Sequence, residues 1–314
     1  MGFAKRKVDI VRSRGRRGRD CLETNAAQAV LVTGATSGLG RATAIFLAEQ
    51  GYRVFAAGRS AERRAALDAL AHERKFALTS IEMDVRDDAS VDRAIAQIEA
   101  AGASVDVLVN NAGLAYVVPI EEIRLEDLHQ QFETNFFGAV RVTQRVLPGM
   151  RARRRGRIIN MSSLAGRLAL PLFGPYSGSK FALEGMTDAL RLEVYPFGIE
   201  VVLIEPGYIP TDMETTALGL ASDYRENMEH GPYSSVYKRF VRSWRRNAAR
   251  AKTTPEDCAR VILRAIRDTP PRARYQVTLG SEFFLWGMRL LPERLRDRMM
   301  RRSFGLTRDS TSRK

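Results

Sequence analysis

Short apolar runs rich in β-branched residues alternate with helix-like segments along most of the chain. The first run, AVLVT at Ala29–Thr33, is followed by a glycine-rich turn and a helical pattern, and this alternation recurs to about residue 280. Near-continuous apolar strands separated by helices are typical of a parallel sheet covered on both faces. The pattern therefore predicts an α/β domain with a doubly wound sheet. Seven strands are expected, at Ala29–Thr33, Arg53–Ala57, Ala77–Met83, Val105–Val109, Arg157–Met161, Glu200–Ile204 and Tyr275–Leu279.

Helical periodicity fills the intervals between these strands. One helix has a defined start, with Thr254 as N-cap and Pro255 at the first helical position, which are residue types preferred there. No long linker divides the chain, so one domain is expected over residues 26–280, with 208–250 as a lid over the substrate. The other helices are expected at Ala42–Gln50, Ala61–His72, Val91–Ala101, Leu125–Met150 and Pro175–Tyr195.

The two ends of the chain carry most of its net charge of +14. Residues 1–20 and residues 288–314 each hold a net +6, which leaves +2 for the rest. We expect residues 1–25 to be a basic, disordered tail, because they contain few apolar residues, and residues 281–314 to be an amphipathic, basic, helical extension. A nearly neutral body does not indicate a nucleic-acid-binding surface, so no specific nucleic-acid partner is expected.

Cysteine, histidine and hydropathy patterns exclude several other classes of protein. Two cysteines, Cys21 and Cys258, are too few for a disulfide framework, and the three scattered histidines do not suggest a metal site. No apolar run is long enough to cross a bilayer, and the N-terminus lacks the apolar segment of a secretory signal. These features lead us to expect a cytoplasmic protein without a metal.

The turn after the first predicted strand has the composition of a phosphate-binding loop. Glycines there let the backbone approach a pyrophosphate, which the N–H groups and dipole of the following helix attract. Arg41 stands where a nucleoside-triphosphate loop requires lysine, so a dinucleotide is favoured. An ordinary strand–helix connection remains the alternative. The candidate contacts are Thr33, Gly34, Ser37, Gly38, Leu39 and Gly40.

The end of the second predicted strand indicates which dinucleotide is bound. A carboxylate at this position would accept hydrogen bonds from free ribose hydroxyls, but the strand ends in Ala57-Gly58-Arg59. Arginine presents a planar fork that suits a phosphate. We therefore expect NADP as the cofactor, with NAD as the alternative if Arg59 is only a solvated loop residue.

Tyr176 and Lys180 are four residues apart at the start of a predicted helix, which places them on one face, one turn apart. A nearby ammonium favours the phenolate and lowers the pKa of a tyrosine from its ordinary value of about 10. Tyr176 would then act as a general acid or base. Ser163 follows the fifth predicted strand, at the sheet edge where ligands bind, and its hydroxyl is placed to polarise a substrate oxygen. Taken singly, each of these features is also common on solvated helices and turns.

In their order along the chain, these residues resemble the classical short-chain dehydrogenases/reductases, most closely the retinol and steroid dehydrogenase branch. The resemblance covers about residues 26–280 and implies a Rossmann-type domain that interconverts a hydroxyl and a carbonyl. It implies that Tyr176 transfers the proton and that Ser163 orients the substrate carbonyl. Lys180 would also bind the ribose hydroxyls, and Asn135 would hold a water that links Lys180 to solvent. The motifs that carry the resemblance are the Thr33–Gly40 turn, Asp84-Val85, Asn110-Asn111-Ala112-Gly113, Asn135, Ser163, Tyr176 with Lys180, and Pro206-Gly207 followed by Thr211.

The resemblance also implies the remaining cofactor contacts and the assembly. Asp84 and Val85 would contact the adenine, and Thr211 would anchor the nicotinamide amide. A homo-oligomer is expected, with the helices at 125–150 and 175–195 as the subunit contact. Further lining of the cofactor site would come from Asn111, Ala112, Gly113, Pro206 and Gly207.

The region after Pro206 should specify the substrate, because the earlier half of the chain is used for the cofactor. Its apolar and aromatic side chains suit a bulky lipophilic alcohol or ketone such as a steroid, a retinoid or another lipid. Packing of the same side chains as core under a long loop is an equally good interpretation. They are Tyr208, Met213, Leu218, Leu220, Tyr224, Met228, Tyr233, Tyr237, Phe240 and Trp244.

Two other functions and three roles for the extension stay open. The extension would lie on anionic lipid as a peripheral membrane contact, meet a second subunit, or close over the substrate pocket. A 3-oxoacyl-[acyl-carrier-protein] reductase would use basic patches to dock its carrier, but it would not need the extension. A non-catalytic nucleotide-sensing or nucleic-acid-binding protein on the same fold is disfavoured by the intact Ser163, Tyr176 and Lys180.

Overall fold

The computed structural model describes residues 28–211, 213–278, 280–304 and 306. The basic tail expected at residues 1–25 therefore lies outside the described residues, as do residues 307–314 of the extension and Leu279 of the seventh predicted strand.

Seven strands form one sheet in the order β3-β2-β1-β4-β5-β6-β7, and all six strand pairings are parallel. The predicted fold class, a doubly wound α/β domain of the Rossmann type with a seven-stranded parallel sheet, is confirmed. The strand order reverses between β1 and β4, which opens a crevice at the carboxyl ends of the strands. The strands are β1 Ala29–Val32, β2 Arg53–Gly58, β3 Leu78–Glu82, β4 Val105–Asn110, β5 Gly156–Met161, β6 Ile199–Glu205 and β7 Arg274–Gln276.

Helices connect the strands, form the segment between β6 and β7, and make up the described part of the extension. The predicted start of the helix after Thr254 is correct: the Thr254 hydroxyl accepts a hydrogen bond from Asp257 N, and Thr254 N donates to the Asp257 carboxylate. The helices are α1 Gly38–Glu49, α2 Ala61–Arg74, α3 Asp88–Ala100, α4 Leu125–Phe132, α5 Gly138–Arg153, α6 Gly174–Val194, α7 Met213–Leu220, α8 Arg225–His230, α9 Ser234–Arg250, α10 Pro255–Arg267, α11 Ser281–Leu290 and α12 Glu293–Ser303.

The sheet is buried on both faces, which explains why its strands are apolar without alternation. On β1, Val30 and Val32 point into a core that includes side chains of α1, α2 and α10. Ala29 and Leu31 point to the opposite core, which includes side chains of α3, α5 and α6. All four residues are therefore buried, as two-sided packing of a parallel sheet requires.

The single long helix predicted over Leu125–Met150 is interrupted in the structure. A π-helical segment at Glu133–Phe137 joins α4 to α5. The hydrogen bonds of such a segment span five residues instead of the four of an α-helix, and this shifts the face that the following side chains present. The segment contains Asn135, which is 1% exposed.

None of the helices in the described part of the chain is long and apolar enough to cross a membrane. Among the same residues, no group of three or more histidine, cysteine or acidic side chains is arranged to hold a metal ion.

Candidate active site and cofactor cleft

A cleft of about 650 Å³ lies along the carboxyl ends of the strands, at the reversal of the strand order. The chain reaches it in the turn after each of β1 to β6, which brings together residues far apart in the sequence. Thr33 and Asn135 are buried beside the cleft instead of lining it. All the other candidate residues line it: Gly34, Ser37, Gly38, Leu39, Gly40, Arg59, Asp84, Val85, Asn111, Ala112, Gly113, Ser163, Tyr176, Lys180, Pro206, Gly207 and Thr211.

The glycine turn is packed closely enough to require its glycines. Gly34 has a φ of +63°, which L side chains rarely adopt. A Cβ at Gly40 would lie 2.2 Å from the carbonyl oxygen of Gly34, so only glycine fits where α1 begins. The N-terminus of α1, with its positive dipole end, thereby borders the cleft, which suits an anionic group such as a pyrophosphate.

Thr33 and Asn111 fasten the ends of β1 and β4 together. The Thr33 hydroxyl accepts hydrogen bonds from the backbone N–H groups of Asn111 and Ala112, both at 3.0 Å. The Asn111 amide donates to the carbonyl oxygens of Thr33 at 2.9 Å and Gly34 at 3.2 Å. Two adjacent strand ends are thus held in fixed register under the cleft.

Three charged side chains meet at the end of the cleft that follows β2 and β3. Arg86 makes hydrogen bonds to both oxygens of Asp84, and these hold the pKa of Asp84 below its ordinary value despite partial burial. Arg59 lies further away, with Nη1 3.9 Å from Asp84 Oδ2 and a side chain that is 64% exposed. Arg59 is therefore the more available of the two guanidinium groups. The sequence patterns did not single out Arg86, nor Arg63, which also lines the cleft.

Asn135 binds protein groups with both ends of its amide. Its Nδ2 donates to the Leu114 carbonyl at 2.9 Å and to Ser179 Oγ at 3.0 Å, while its Oδ1 accepts from Leu114 N at 2.9 Å. Ser179 in turn donates to the carbonyl of Tyr176 at 2.7 Å. The π-helical segment therefore links the loop after β4, through Leu114, to the start of α6, through Ser179.

Ser163, Tyr176 and Lys180 lie close to one another in the lining of the cleft. A hydrogen bond with Ser163 favours the ionised form of Tyr176, and Lys180 Nζ lies 5.8 Å from the centre of the Tyr176 ring. Lys180 Nζ donates to the carbonyl of Met161 at 2.7 Å. Burial lowers the pKa of Lys180 to about 8, although the negative charge of Glu184 acts to raise it.

The predicted lowering of the Tyr176 pKa is wrong for this structure. Burial, which disfavours the phenolate, raises the pKa of Tyr176, and the hydrogen bond with Ser163 only opposes that shift. Helical spacing correctly placed Lys180 near Tyr176, but the ammonium is hydrogen-bonded to a carbonyl oxygen.

Most of the aromatic residues expected in the substrate pocket pack against one another. Trp244 stacks on Phe173 with 5.4 Å between ring centres, and Phe173 meets Tyr176 edge-on at 5.7 Å. Tyr224 lies in a second buried cluster. From the segment 208–250, two of the expected residues, Met213 and Leu220, do line the cleft. Ile209, Thr211 and Thr216 line it as well.

The sequence and fold of this chain are similar to those of known proteins. The family model for short chain dehydrogenase matches residues 28–218, which is more than half of the chain. Human retinol dehydrogenase 8 is 35% identical over 260 residues, covering 81% of this chain and 82% of that protein. The NADPH-dependent 3-dehydrocapnine reductase of Ornithobacterium rhinotracheale is 34% identical over 277 residues, covering 86% of this chain and 94% of the relative. A crystal structure of a variant actinorhodin polyketide ketoreductase with NADPH matches at a TM-score of 0.70 and 30% identity, over 82% of this chain and 98% of that one.

The chain therefore belongs to the short-chain dehydrogenase family, as the resemblance of its motifs predicted. It is an oxidoreductase that acts on CH–OH and C=O groups with a nicotinamide dinucleotide.

Proposed function

We propose that this enzyme prefers NADP and interconverts a hydroxyl and a carbonyl on a lipophilic small molecule such as a steroid, a retinoid or another lipid, with Tyr176 as the general acid or base. The observation that carries the proposal is that Ser163, Tyr176 and Lys180 open into the same cleft as the glycine turn. The tight backbone at Gly34 and Gly40 and the helix N-terminus beside it suit the pyrophosphate of such a cofactor.

When bound, the nicotinamide ring supplies or accepts the hydride. As a carbonyl is reduced, negative charge grows on its oxygen, and the hydroxyls of Ser163 and Tyr176 are placed to donate hydrogen bonds to it. Tyr176 then gives its proton to that oxygen, and in the oxidation direction it takes the proton back. Lys180 would hold the ribose hydroxyls with its ammonium, while Asn135 fixes the backbone of the Tyr176 turn through Ser179.

The preference for NADP rests on Arg59, whose exposed guanidinium follows β2 at the end of the cleft. A guanidinium fork suits the extra phosphate of NADP. We expect Arg59→Ser to raise KM for NADPH by about 10-fold or more, since a charge-assisted hydrogen bond contributes about 1.5–3 kcal/mol, and to leave KM for NADH nearly unchanged. Arg41→Ser, which changes an exposed arginine that does not line the cleft, is the control. Equal losses with both cofactors would refute the preference.

The apolar character of the substrate side supports a lipophilic substrate. Leu114, Ile209, Met213 and Leu220 are apolar residues that line the cleft, and we assign them to its substrate side. The names of two relatives, retinol dehydrogenase 8 and NADPH-dependent 3-dehydrocapnine reductase, also support a lipophilic substrate. A 3-oxoacyl-[acyl-carrier-protein] reductase remains the second candidate and would be favoured by turnover that requires the carrier protein.

A panel of steroid, retinoid and long-chain alcohols and ketones, assayed with both NADPH and NADH, tests the chemistry. Tyr176→Phe should abolish turnover while leaving NADPH affinity within a few-fold, because it removes only the acid–base hydroxyl. Tyr237→Phe is the matched control: it removes a buried tyrosine hydroxyl from the same aromatic cluster, where that hydroxyl faces Glu122 at 3.4 Å. Turnover that survives in Tyr176→Phe, or no turnover in the wild type with any substrate, would overturn the assignment.

For the extension we propose a peripheral contact with anionic membrane. Phe283 and Leu290 on α11 and Leu295 and Met299 on α12 are exposed, and arginines flank them on α12. Exposed apolar side chains beside cationic ones suit the surface of an anionic bilayer. Co-sedimentation with phosphatidylserine vesicles but not with phosphatidylcholine vesicles is the expected result. If the protein sediments with neither vesicle, the membrane contact is refuted, and a subunit contact or a flap over the substrate pocket remains as the role of the extension.

We also propose a homo-oligomer built on the expected helices. Phe137 in the π-helical segment and Phe181 and Leu192 on α6 are exposed apolar residues. Light scattering should give a mass above the 35.1 kDa of one chain, and a monomeric mass would contradict this.

A further inference from the structure

A buried cluster of charges lies beside the proposed catalytic residues and has no part in the mechanism above. Glu184 follows Lys180 by one turn of α6, just as Lys180 follows Tyr176, so the three side chains share one face of the helix. Glu184 is 5% exposed, and Glu205, the last residue of β6, is 0% exposed. Buried carboxylates are rare unless they are paired, so their partners decide what they do.

Arg274 on β7 bridges the two carboxylates. It lies 3.1 Å from Glu184 Oε2 and 3.1 Å from Glu205 Oε1. Arg274 also donates to Asp188 at 2.6 Å, and Arg167 donates to Glu205 at 2.8 Å. The charged groups around Glu184 are therefore Lys180 and Asp188 on α6, Glu205 at the end of β6, Arg274 on β7 and, through Glu205, Arg167 after the turn that follows β5.

The cluster connects the three segments of chain that hold the catalytic centre. Arg167 directly follows the 3₁₀ turn that begins after Ser163, and Glu205 directly precedes the Pro206–Gly207 segment of the cleft. Gly166 in that turn packs on α6: a Cβ there would lie 3.2 Å from Cγ of Glu184. Displacement of one of these segments would therefore also move the other two.

We propose that Glu184 is a positioning residue that keeps Lys180 in its ammonium form, and that the bridge from Arg274 to Glu205 holds the Glu184 carboxylate in place for this. The inference rests on the roles proposed above for Tyr176 and Lys180. Its support is geometric, since Glu184 lies on the same helix face as Lys180, is buried, and has its carboxylate 3.1 Å from Arg274.

Electrostatics act in the same direction. Burial lowers the pKa of Lys180, and the carboxylate of Glu184 opposes that shift. Burial and the charge of Glu205 raise the pKa of Glu184, whereas Ser162 and Arg274 favour its ionised form. Without Arg274, Glu184 would lose a cation that keeps it charged, and Lys180 would then lose its support.

Glu184→Gln tests this, because it keeps the shape of the side chain and removes its charge. Asp188→Asn is the matched control: it removes a carboxylate that also binds Arg274 but lies one further turn from Lys180 on the same helix. The readout is the pH dependence of the ε-carbon NMR shift of Lys180 in ¹³C-lysine-labelled protein. The chain has seven lysines, and the signal that is lost in Lys180→Arg is that of Lys180. The midpoint should fall by about one pH unit in Glu184→Gln, as expected for loss of a neighbouring opposite charge, and should change little in Asp188→Asn.

Glu184→Asp, which keeps the charge, should restore most of the midpoint. Arg274→Gln, which removes the cation that keeps Glu184 charged, should also lower the midpoint and is the test if Glu184→Gln does not fold. An unchanged midpoint in Glu184→Gln, or equal shifts in Glu184→Gln and Asp188→Asn, would overturn the inference. The pH profile of kcat for alcohol oxidation separates it from the proposed function. If the Lys180 midpoint falls but the kcat profile does not move, the coupling of Glu184 to Lys180 stands and the proposed part of Lys180 in turnover fails.

Discussion

Replacing Gly40 by alanine tests whether the start of α1 is fitted to the glycine turn. A Cβ at Gly40 would lie 2.2 Å from Gly34 O and 2.4 Å from Asn111 Nδ2. The Asn111 amide cannot simply swing away, because it donates to the carbonyls of Thr33 and Gly34. The helix start must therefore move away from β4, and overpacking of this kind costs about 1–3 kcal/mol.

The matched control is Gly185→Ala on α6. Gly185 is exposed, and nothing lies within 4 Å of the Cβ that alanine would add. Alanine in a helix interior is favoured over glycine by about 1 kcal/mol, so this variant should gain stability. Opposite signs are therefore expected for the same chemical change, with Gly40→Ala lowering and Gly185→Ala raising the free energy of unfolding.

Urea unfolding gives the free energies, and quenching of protein fluorescence by NADPH gives the affinity. Gly40→Ala should weaken NADPH binding by about 10-fold or more, since 1.4 kcal/mol of displaced contacts is tenfold in an equilibrium constant. Gly185→Ala should bind NADPH like the wild type. If Gly40→Ala keeps both its stability and its NADPH affinity, the close approach of α1 to the turn does not organise the cleft.

Three further predictions concern buried polar groups. Burial alone raises the pKa of Asp127, but hydrogen bonds from Arg124 and two tyrosines bring this pKa below its ordinary value. The ionised Asp127 therefore stabilises the folded chain above about pH 4, and this stabilisation is lost as the pH falls further. Asp127→Asn should therefore have a lower Tm than the wild type at pH 7 and a narrowing gap below pH 4; a constant gap would contradict this. Asn135→Ala removes three hydrogen bonds in the interior and should cost about 1–3 kcal/mol in urea unfolding, with unchanged stability as the refuting result. Burial raises the pKa of the Cys258 thiol to about 12, so in a Cys21→Ser chain Cys258 should react with a disulfide reagent at pH 8 only after unfolding, and rapid native reaction would show that it is accessible.

Local patterns were sufficient wherever neighbouring residues decide the structure. The strands followed from continuous apolar runs, and the start of α10 followed from Thr254 and Pro255, because backbone preference and capping act over a few residues. The spacing of Tyr176 and Lys180 was enough to place both on one side of α6 in the cleft, since a helix repeats every 3.6 residues.

Effects that depend on distant segments were not predictable in this way. The π-helical segment at Glu133–Phe137 has no distinct local signal, yet it carries Asn135 into the interior. Aromatic residues such as Trp244 have the composition of a pocket wall, but in the folded chain they pack against Phe173. Which of several apolar surfaces faces a cleft depends on how helices dock, and the composition of one segment does not contain that information.

The sequence by itself determined the order of elements, the glycine turn and the identity of the groups available for chemistry. Only the tertiary structure decided their charge states and partners. Arg274 meets Glu184 and Glu205 across long stretches of chain, and burial reverses the expected shift in the pKa of Tyr176. Hydrogen-bond geometry and desolvation are properties of the three-dimensional surroundings of a group, so they are fixed only when separate segments pack together.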